Sequence, residues 1–258
     1  MKSPVVVIGI GELGSVFARG FLKTGHPVYP ITRHMSMLDE SKQIPQPEAV
    51  LIAVGETDLH PTLEALPEAW KDRVILLQNE LLPRDWQAHA IDNPTVISVW
   101  FEKKKGMDSK VVLPSPVYGP HAQLVRDALA SLDIPSYEVD DMDALEYELV
   151  RKNLYILTTN IAGLELPDGA TVDELRHEHP DLMDAVAHDV MDIQAWLVGH
   201  ELDRPALMAG MLDAFDGDPA HKCKGRSAPA RLRRALLHAD EAGLEVPTLR
   251  EIARKHLD

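Results

Sequence analysis

Three glycines at G-x-G-x-x-G spacing, Gly9, Gly11 and Gly14 in the run Gly9-Ile10-Gly11-Glu12-Leu13-Gly14, follow the apolar segment Pro4 to Ile8 directly. Each has its own physical task. Gly9 permits a tight turn, Gly11 omits the Cβ that would keep phosphate oxygens off the backbone, and Gly14 lets the following helix lie close on the strand. The helix opening at Glu12 and Leu13 would then offer free N–H groups to a pyrophosphate. It runs to Thr24, and after Gly25-His26-Pro27 a second strand leads through Val28 to Ile31 and ends at Arg33. The whole reads as one βαβ unit built to hold a dinucleotide.

A dinucleotide site selective for a free ribose places Asp or Glu at the end of that second strand, whereas this chain has Thr32-Arg33-His34. A guanidinium suits a 2′-phosphate through charge-assisted bidentate bonds, so the expected cofactor is NADP(H), with Thr32 and His34 as helpers of Arg33. The alternative is that Arg33 is a solvated loop charge.

Two further places could carry chemistry. The strand from Val74 to Leu77 ends in Gln78-Asn79-Glu80, which puts the Asn79 amide at the carboxyl edge of the sheet, where it can donate to a carbonyl and accept from a cofactor. Asn79 is equally at home as a turn or helix-capping residue. Later, Lys152, Ile156, Thr159 and Gly163 form one stripe of a helix, with Asn160 at its edge. A lysine beside a ketone can polarise it and deliver a proton as hydride arrives, if burial brings its pKa toward neutrality. A lysine snorkelling from the helix surface is the commoner role. Beyond it, His221-Lys222-Cys223-Lys224-Gly225-Arg226 is a basic cluster in an acidic chain, fit either to receive an anionic substrate or to stand as a solvated loop.

The elements that must position these groups follow from pattern. Strands are expected at Ala49 to Val54, Arg73 to Leu77, Thr95 to Phe101, Lys110 to Leu113 and Ser136 to Val139. Helices are expected from Asp58, as N-cap, to Leu66 and from His121 to Leu132, giving the alternation of a parallel sheet. His34 to Pro47 reads as an irregular connection. From Ala144 the pattern is helical, over 145–165, 180–199, 203–215, 228–243 and 247–257, with Pro180, Pro205, Pro229 and Pro247 near the starts. The expectation is an α/β dinucleotide-binding domain over 1–141 and an all-helical substrate or dimerisation domain over 142–258. Ligands of doubly wound sheets bind beyond the carboxyl ends of the strands, and a domain junction would supply the opposite wall.

The 258 residues, 45% hydrophobic, suffice for a sizeable core. A formal charge of −15 argues against nucleic acid and anionic membrane as partners. No apolar stretch is long enough to span a bilayer, and the N-terminal apolar run is a first strand, not a signal peptide. Cys223 stands alone, and the 12 histidines show no ligand spacing, so no disulfide and no metal site are expected and a reducing cytoplasm fits best. The Lys103-Lys104-Lys105 run reads as a solubilising turn.

Taken together, the glycine turn, the strand-end Gln78-Asn79 and the Lys152…Asn160 helix resemble the ketopantoate reductase family, NADPH-dependent enzymes with a Rossmann-type parallel-sheet N-terminal domain and an all-helical C-terminal domain. The resemblance implies Lys152 as the catalytic lysine, Asn160 as the second of two helix asparagines, and Asn79 beside nicotinamide and substrate. Ile156 stands where the first asparagine would be. Gly55-Glu56 stands where the family carries a cofactor-contacting lysine, Glu80 where it has a glycine, and Gly210 where it has a serine. Ala220-His221-Lys222 stands where it has a substrate-binding glutamate. The implied protein is an NADPH-dependent reductase of a small, anionic keto or imine compound with a remodelled pocket, in which Thr159, His221 and Lys222 would meet substrate. Fold analogy adds a homodimer. The competing reading, drawn from the same departures, is a noncatalytic NADP(H)-binding sensor or assembly protein.

Overall fold

Four consecutive buried residues, Val5–Ile8, form strand β1 of the computed structural model, which describes residues 2–257. A run apolar on both faces belongs inside a parallel sheet, and β1 lies there, between β2 (Val28–Ile31) and β3 (Ala49–Ile52). The sheet has seven strands in the order β2-β1-β3-β4-β5-β8-β9, adding β4 (Val74–Leu76), β5 (Thr95–Ile97), β8 (Ser115–Tyr118) and β9 (Ser136–Glu138). All neighbours are parallel except β5 and β8. Because the chain goes from β1 to β2 on one side and to β3 on the other, the strand order reverses at β1/β3. Ligands of open α/β sheets bind at that reversal.

Helices α1 (Glu12–Lys23) and α5 (Ala122–Ala130) cover one face, where Val5, Val7, Leu51, Ile75 and Ile97 pack with Phe17, Phe21, Val125 and Leu129. Gly20 sets the approach of the two helices, since a Cβ there would lie 2.5 Å from the Ala128 carbonyl oxygen. The expected α/β architecture with a helical C-terminal half is what the chain adopts.

Several boundaries differ from expectation. The connection after β2 contains a helix, α2 (Met37–Gln43), which Ser36 starts by accepting a hydrogen bond from Asp39 N. Its acids, Asp39 and Glu40, sit in the first turn and Lys42 in the last, as the helix dipole favours. Helix α3 (Glu56–Glu64) begins earlier than Asp58, with Gly55 at the cap position. A 3-10 turn at Glu68–Arg73 and a short helix, α4 (Pro83–Gln87), complete this side. Lys110 does not enter the main sheet: β7 (Lys110–Val111) pairs only with β6 (Phe101–Glu102), and the lysine run lies in the loop between them. The vacated place goes to β8, whose Pro116 argues against a strand by pattern. Pro116 lacks an N–H but its carbonyl accepts from Ser98 N.

Two compact units divide the chain, Met1–Leu149 and Val150–Asp258. The division falls inside α6 (Met142–Ala162), a helix preceded by Asp140 and Asp141. The second unit holds the rest of α6 with α7 (Val172–Glu178), α8 (Pro180–Val198), α9 (Arg204–Gly217), α10 (Ala228–Ala242) and α11 (Pro247–His256). Helix α7 was not legible by periodicity. A capping box makes it: Thr171 Oγ1 accepts from Glu174 N, and the Glu174 carboxylate accepts from Thr171 N. Asn153 ties α6 to α8 by donating to Gln194 Oε1 at 3.0 Å, both residues being buried. Asp189 of α8 accepts from Thr248 N and Leu249 N at 2.8 and 3.0 Å and so caps α11.

Candidate functional site

The glycine turn lies at the β1/β3 reversal, and its glycines are not alike. Gly9 stands at φ +91, and a Cβ there would meet the Ala53 carbonyl oxygen at 2.7 Å. A Cβ on Gly14 would lie 2.1 Å from the Gly9 carbonyl oxygen. Both are required by the packing of β1, α1 and β3. Gly11 is different: a Cβ built on it meets nothing within 4 Å, and its φ of −82 is open to any L residue. The fold therefore gives no reason for glycine at 11. That open space faces the start of α1, where Gly11 is the N-cap and supplies no side-chain hydrogen bond to the first-turn N–H groups. An anion is the natural partner for such groups, so the residues present fit a dinucleotide pyrophosphate. Glu12 is exposed and Leu13 half-buried beside it.

Thr32, Arg33 and His34 are all exposed where β2 ends. A turn closed by Met35 N donating to Thr32 O presents them, and the Arg33 guanidinium has no ion pair or hydrogen bond among the described residues.

On the other side of the glycine turn, Gln78 is buried and spends its amide on backbone. It donates to Ile52 O and Val54 O at 2.7 and 3.3 Å and accepts from Leu77 N at 3.1 Å. This stitches the ends of β3 and β4 together and fixes where Asn79 emerges. Half-buried Asn79 donates from Nδ2 to Glu56 Oε1 at 3.2 Å, and Glu56 is the first residue of α3. Neither Gln78 as a clamp nor Glu56 as a partner was read from sequence; the pairing joins positions far apart in the chain, and only the adjacency of Gln78 to Asn79 hinted at it.

Lys152, Thr159, Asn160, His221 and Lys222 belong to the second unit. Lys152 is half-buried, with Nζ 5.9 Å from the centroid of the Tyr155 ring. Tyr155 also meets Phe215 edge-on at 5.8 Å and His221 at 6.0 Å, so Lys152 and His221 border one buried aromatic ring. His221 Nδ1 lies 3.7 Å from Asp218 Oδ2, an acid that sequence reading did not single out. Further along, the stripe is packed and not open. Thr159 is buried and its hydroxyl donates to Tyr155 O at 2.8 Å. A Cβ on Gly163 would meet Cys223 Cβ at 2.9 Å. Asn160 donates to Cys223 O at 3.2 Å and accepts from Arg231 Nη1 at 2.8 Å. Asn160 thus holds the 221–226 segment against α6, while the Thr159 hydroxyl is spent within the helix.

Within that segment Lys222 is exposed and its backbone bridges to Thr171, while Lys224 pairs with Asp168 at 2.9 Å. The Cys223 thiol is buried and pushed up to about 12 by that burial, with Glu174 adding to it, so it is not a nucleophile. Among the described residues no group of three or more His, Cys, Asp or Glu could hold a metal ion, and no helix is long and apolar enough to cross a membrane.

No protein-family model and no curated sequence matches the chain. Solved structures do match, over nearly the whole of both chains. A PanE/ApbA family ketopantoate reductase from Ralstonia eutropha JMP134 is 16% identical with a TM-score of 0.66, covering 99% of this chain and 97% of that one. The fold is that of the ketopantoate reductases. D-mandelate dehydrogenase in complex with NADH is 14% identical at TM-score 0.66, covering 99% and 97%. A dimeric ketopantoate reductase from Staphylococcus aureus is 16% identical at TM-score 0.62, covering 98% and 96%.

Against the ketopantoate reductase pattern the substitutions acquire physical content. Glu80, where that pattern has glycine, stands at φ +62, a left-handed conformation that costs a side chain about 1 kcal/mol or more. Ile156, in place of an asparagine, is buried. Gly210, in place of a serine, is buried, and its carbonyl accepts from Arg151 Nε at 2.8 Å.

Proposed function

We propose that this chain is an NADP(H)-dependent oxidoreductase that reduces a small, anionic keto or imine compound. The observation that carries the reading is Gly11, the one glycine of the turn that packing does not require, set before an uncapped helix N-terminus at the sheet's reversal point. Gly9, Gly11 and Gly14 shape the cradle, the backbone at Glu12 and Leu13 receives the pyrophosphate, and Thr32 with Arg33 receives a 2′-phosphate. When bound, the cofactor supplies the hydride. The chain's own residues then bind and orient. Asn79, held by Glu56, presents its amide at the β4 edge, and Lys152 supplies the proton to the substrate oxygen. His221, which borders the Tyr155 ring as Lys152 does, draws an anionic group, and Lys222 adds positive charge beside it. Asn160 contributes by fixing the segment that carries His221, with Thr159 beside it accepting from its amide.

The lone, reduced Cys223 suits a cytoplasmic setting, and the dimer described for the Staphylococcus aureus enzyme makes a homodimer the assembly to test first. The decisive experiment follows NADPH oxidation against a panel of 2-keto acids. Lys152→Ala is expected to lower kcat by about 100-fold with NADPH affinity unchanged. Equal losses in turnover and in nucleotide affinity would refute the role given to Lys152.

The second reading, a noncatalytic NADP(H)-binding protein, draws on the burial of Thr159 and Asn160, whose polar groups are engaged within the protein. It requires Lys152→Ala to leave function intact while substitution of Gly11 abolishes it.

A further inference from the structure

Along the carboxyl edge of the sheet the residues directly after β2 are the basic Arg33 and His34, with Asp39, Glu40 and Lys42 following in α2. Two and three places along, the segments that follow β3 and β4 carry Glu56 and Asp58, then Glu80 and Asp85, against Arg84 and His60. Even with Arg84 paired to one of them, that end remains negative. Neighbouring strands lie about 4.8 Å apart, so the ends of β3 and β4 lie about 10 and 14 Å from that of β2, the direction in which an extended dinucleotide lying across the glycine turn would run.

Glu56 is the acid with a defined place in this edge. It opens α3, is half-buried, and accepts from Asn79 Nδ2 at 3.2 Å, so its carboxylate is held beside the amide that emerges from β4. Glu80 follows Asn79 directly, in a backbone conformation its side chain does not favour.

We propose that Glu56, fixed by Asn79, biases the bound cofactor toward its oxidised form. The inference rests on the cofactor reading given above. A dinucleotide whose 2′-phosphate lies at Arg33 has its nicotinamide at the opposite, acidic end. Hydride loss from NADPH leaves the nicotinamide ring with one positive charge, and the hydride with its electron pair goes to the substrate carbon. A fixed carboxylate near the ring attracts the cation and has little interaction with the neutral dihydropyridine. Bound NADPH is thereby made a stronger hydride donor, and NADP+ is held more tightly after transfer.

The test is a pair of equilibrium titrations, NADP+ and NADPH, on the wild type and on Glu56→Gln and Glu56→Lys. Glutamine keeps an acceptor for Asn79 and removes only charge. A unit charge several ångströms away across a partly solvated site corresponds to a change of about threefold to tenfold in the ratio of the two dissociation constants. Glu56→Gln is expected to weaken NADP+ by that factor relative to NADPH, and Glu56→Lys to shift the ratio further in the same direction. Equal changes for both nucleotides, or a tightening of NADP+ alone, would overturn the proposal while leaving the cofactor site standing. Failure of the wild type to bind either nucleotide would overturn the cofactor reading and this inference together. Thermal melts of the three proteins keep a folding defect from passing as a change in the ratio.

Discussion

Replacing Gly11 by alanine separates ligand binding from stability more cleanly than any other change in the turn. At Gly11 the new Cβ meets nothing within 4 Å and the backbone, at φ −82, accepts alanine without strain. Losing glycine's freedom in the unfolded chain favours the variant by about 0.4–1 kcal/mol. Alanine is a poorer N-cap than glycine by a similar amount, so stability should remain within about 1 kcal/mol of wild type. Gly14→Ala puts a Cβ 2.1 Å from the Gly9 carbonyl oxygen, a backbone atom that cannot step aside, and should cost about 1–3 kcal/mol or more. For the nucleotide the order reverses. A methyl group in front of the helix start keeps a phosphate from at least one N–H, and a hydrogen bond to a charged acceptor is worth about 1.5–3 kcal/mol, or roughly tenfold to a hundredfold in affinity. The assay is a urea melt and an NADPH fluorescence titration on each variant. An unchanged NADPH affinity for Gly11→Ala, or a loss of stability matching that of Gly14→Ala, would refute the assignment of this space to phosphate.

Three other outcomes follow from two buried groups of the second unit. Asp189→Ala leaves the Thr248 and Leu249 N–H groups without their acceptor and is expected to cost about 1–3 kcal/mol in a denaturant melt. Burial holds the Asp189 carboxyl above its ordinary range, so the folded state keeps that proton more tightly than the unfolded chain. Its contribution to stability is therefore greatest below about pH 4 and declines as pH rises through the folded pKa. Asp189→Asn should remove this decline, which melts taken across that range will show. Cys223, with its thiol at about 12, should resist alkylation by iodoacetamide at neutral pH in the native protein and react fully once unfolded, as mass spectrometry can read.

The N-terminal unit was legible where local and global signals agree. A buried strand, a glycine turn and an amphipathic helix each specify the next, and the structure sets them as read at β1, α1 and β2. Legibility failed where a short element depends on one cap or on tertiary pairing. Ser36 alone starts α2 in a stretch that prolines 45 and 47 make look irregular. The β8 strand survives its proline because Ser98, just after β5, needs only the Pro116 carbonyl. The site divides the same way. The glycines announce themselves by spacing, but nothing in the sequence says that Glu56 reaches Asn79, that Asp218 stands beside His221, or that Asn160 is engaged with Cys223 and Arg231. Those pairings arise only when separate elements meet.

The central claim, that the turn and the Arg33 loop form a site for a phosphorylated dinucleotide, is tested most directly by titrating the purified protein with NADPH and with NADH, then repeating both on Arg33→Ala. Wild type is expected to bind NADPH more tightly than NADH. Arg33→Ala is expected to lose about tenfold or more for NADPH, as for a charge-assisted contact, and little for NADH. Equal binding of the two nucleotides with no effect of the substitution would contradict the role of Arg33, and binding of neither would contradict the site itself.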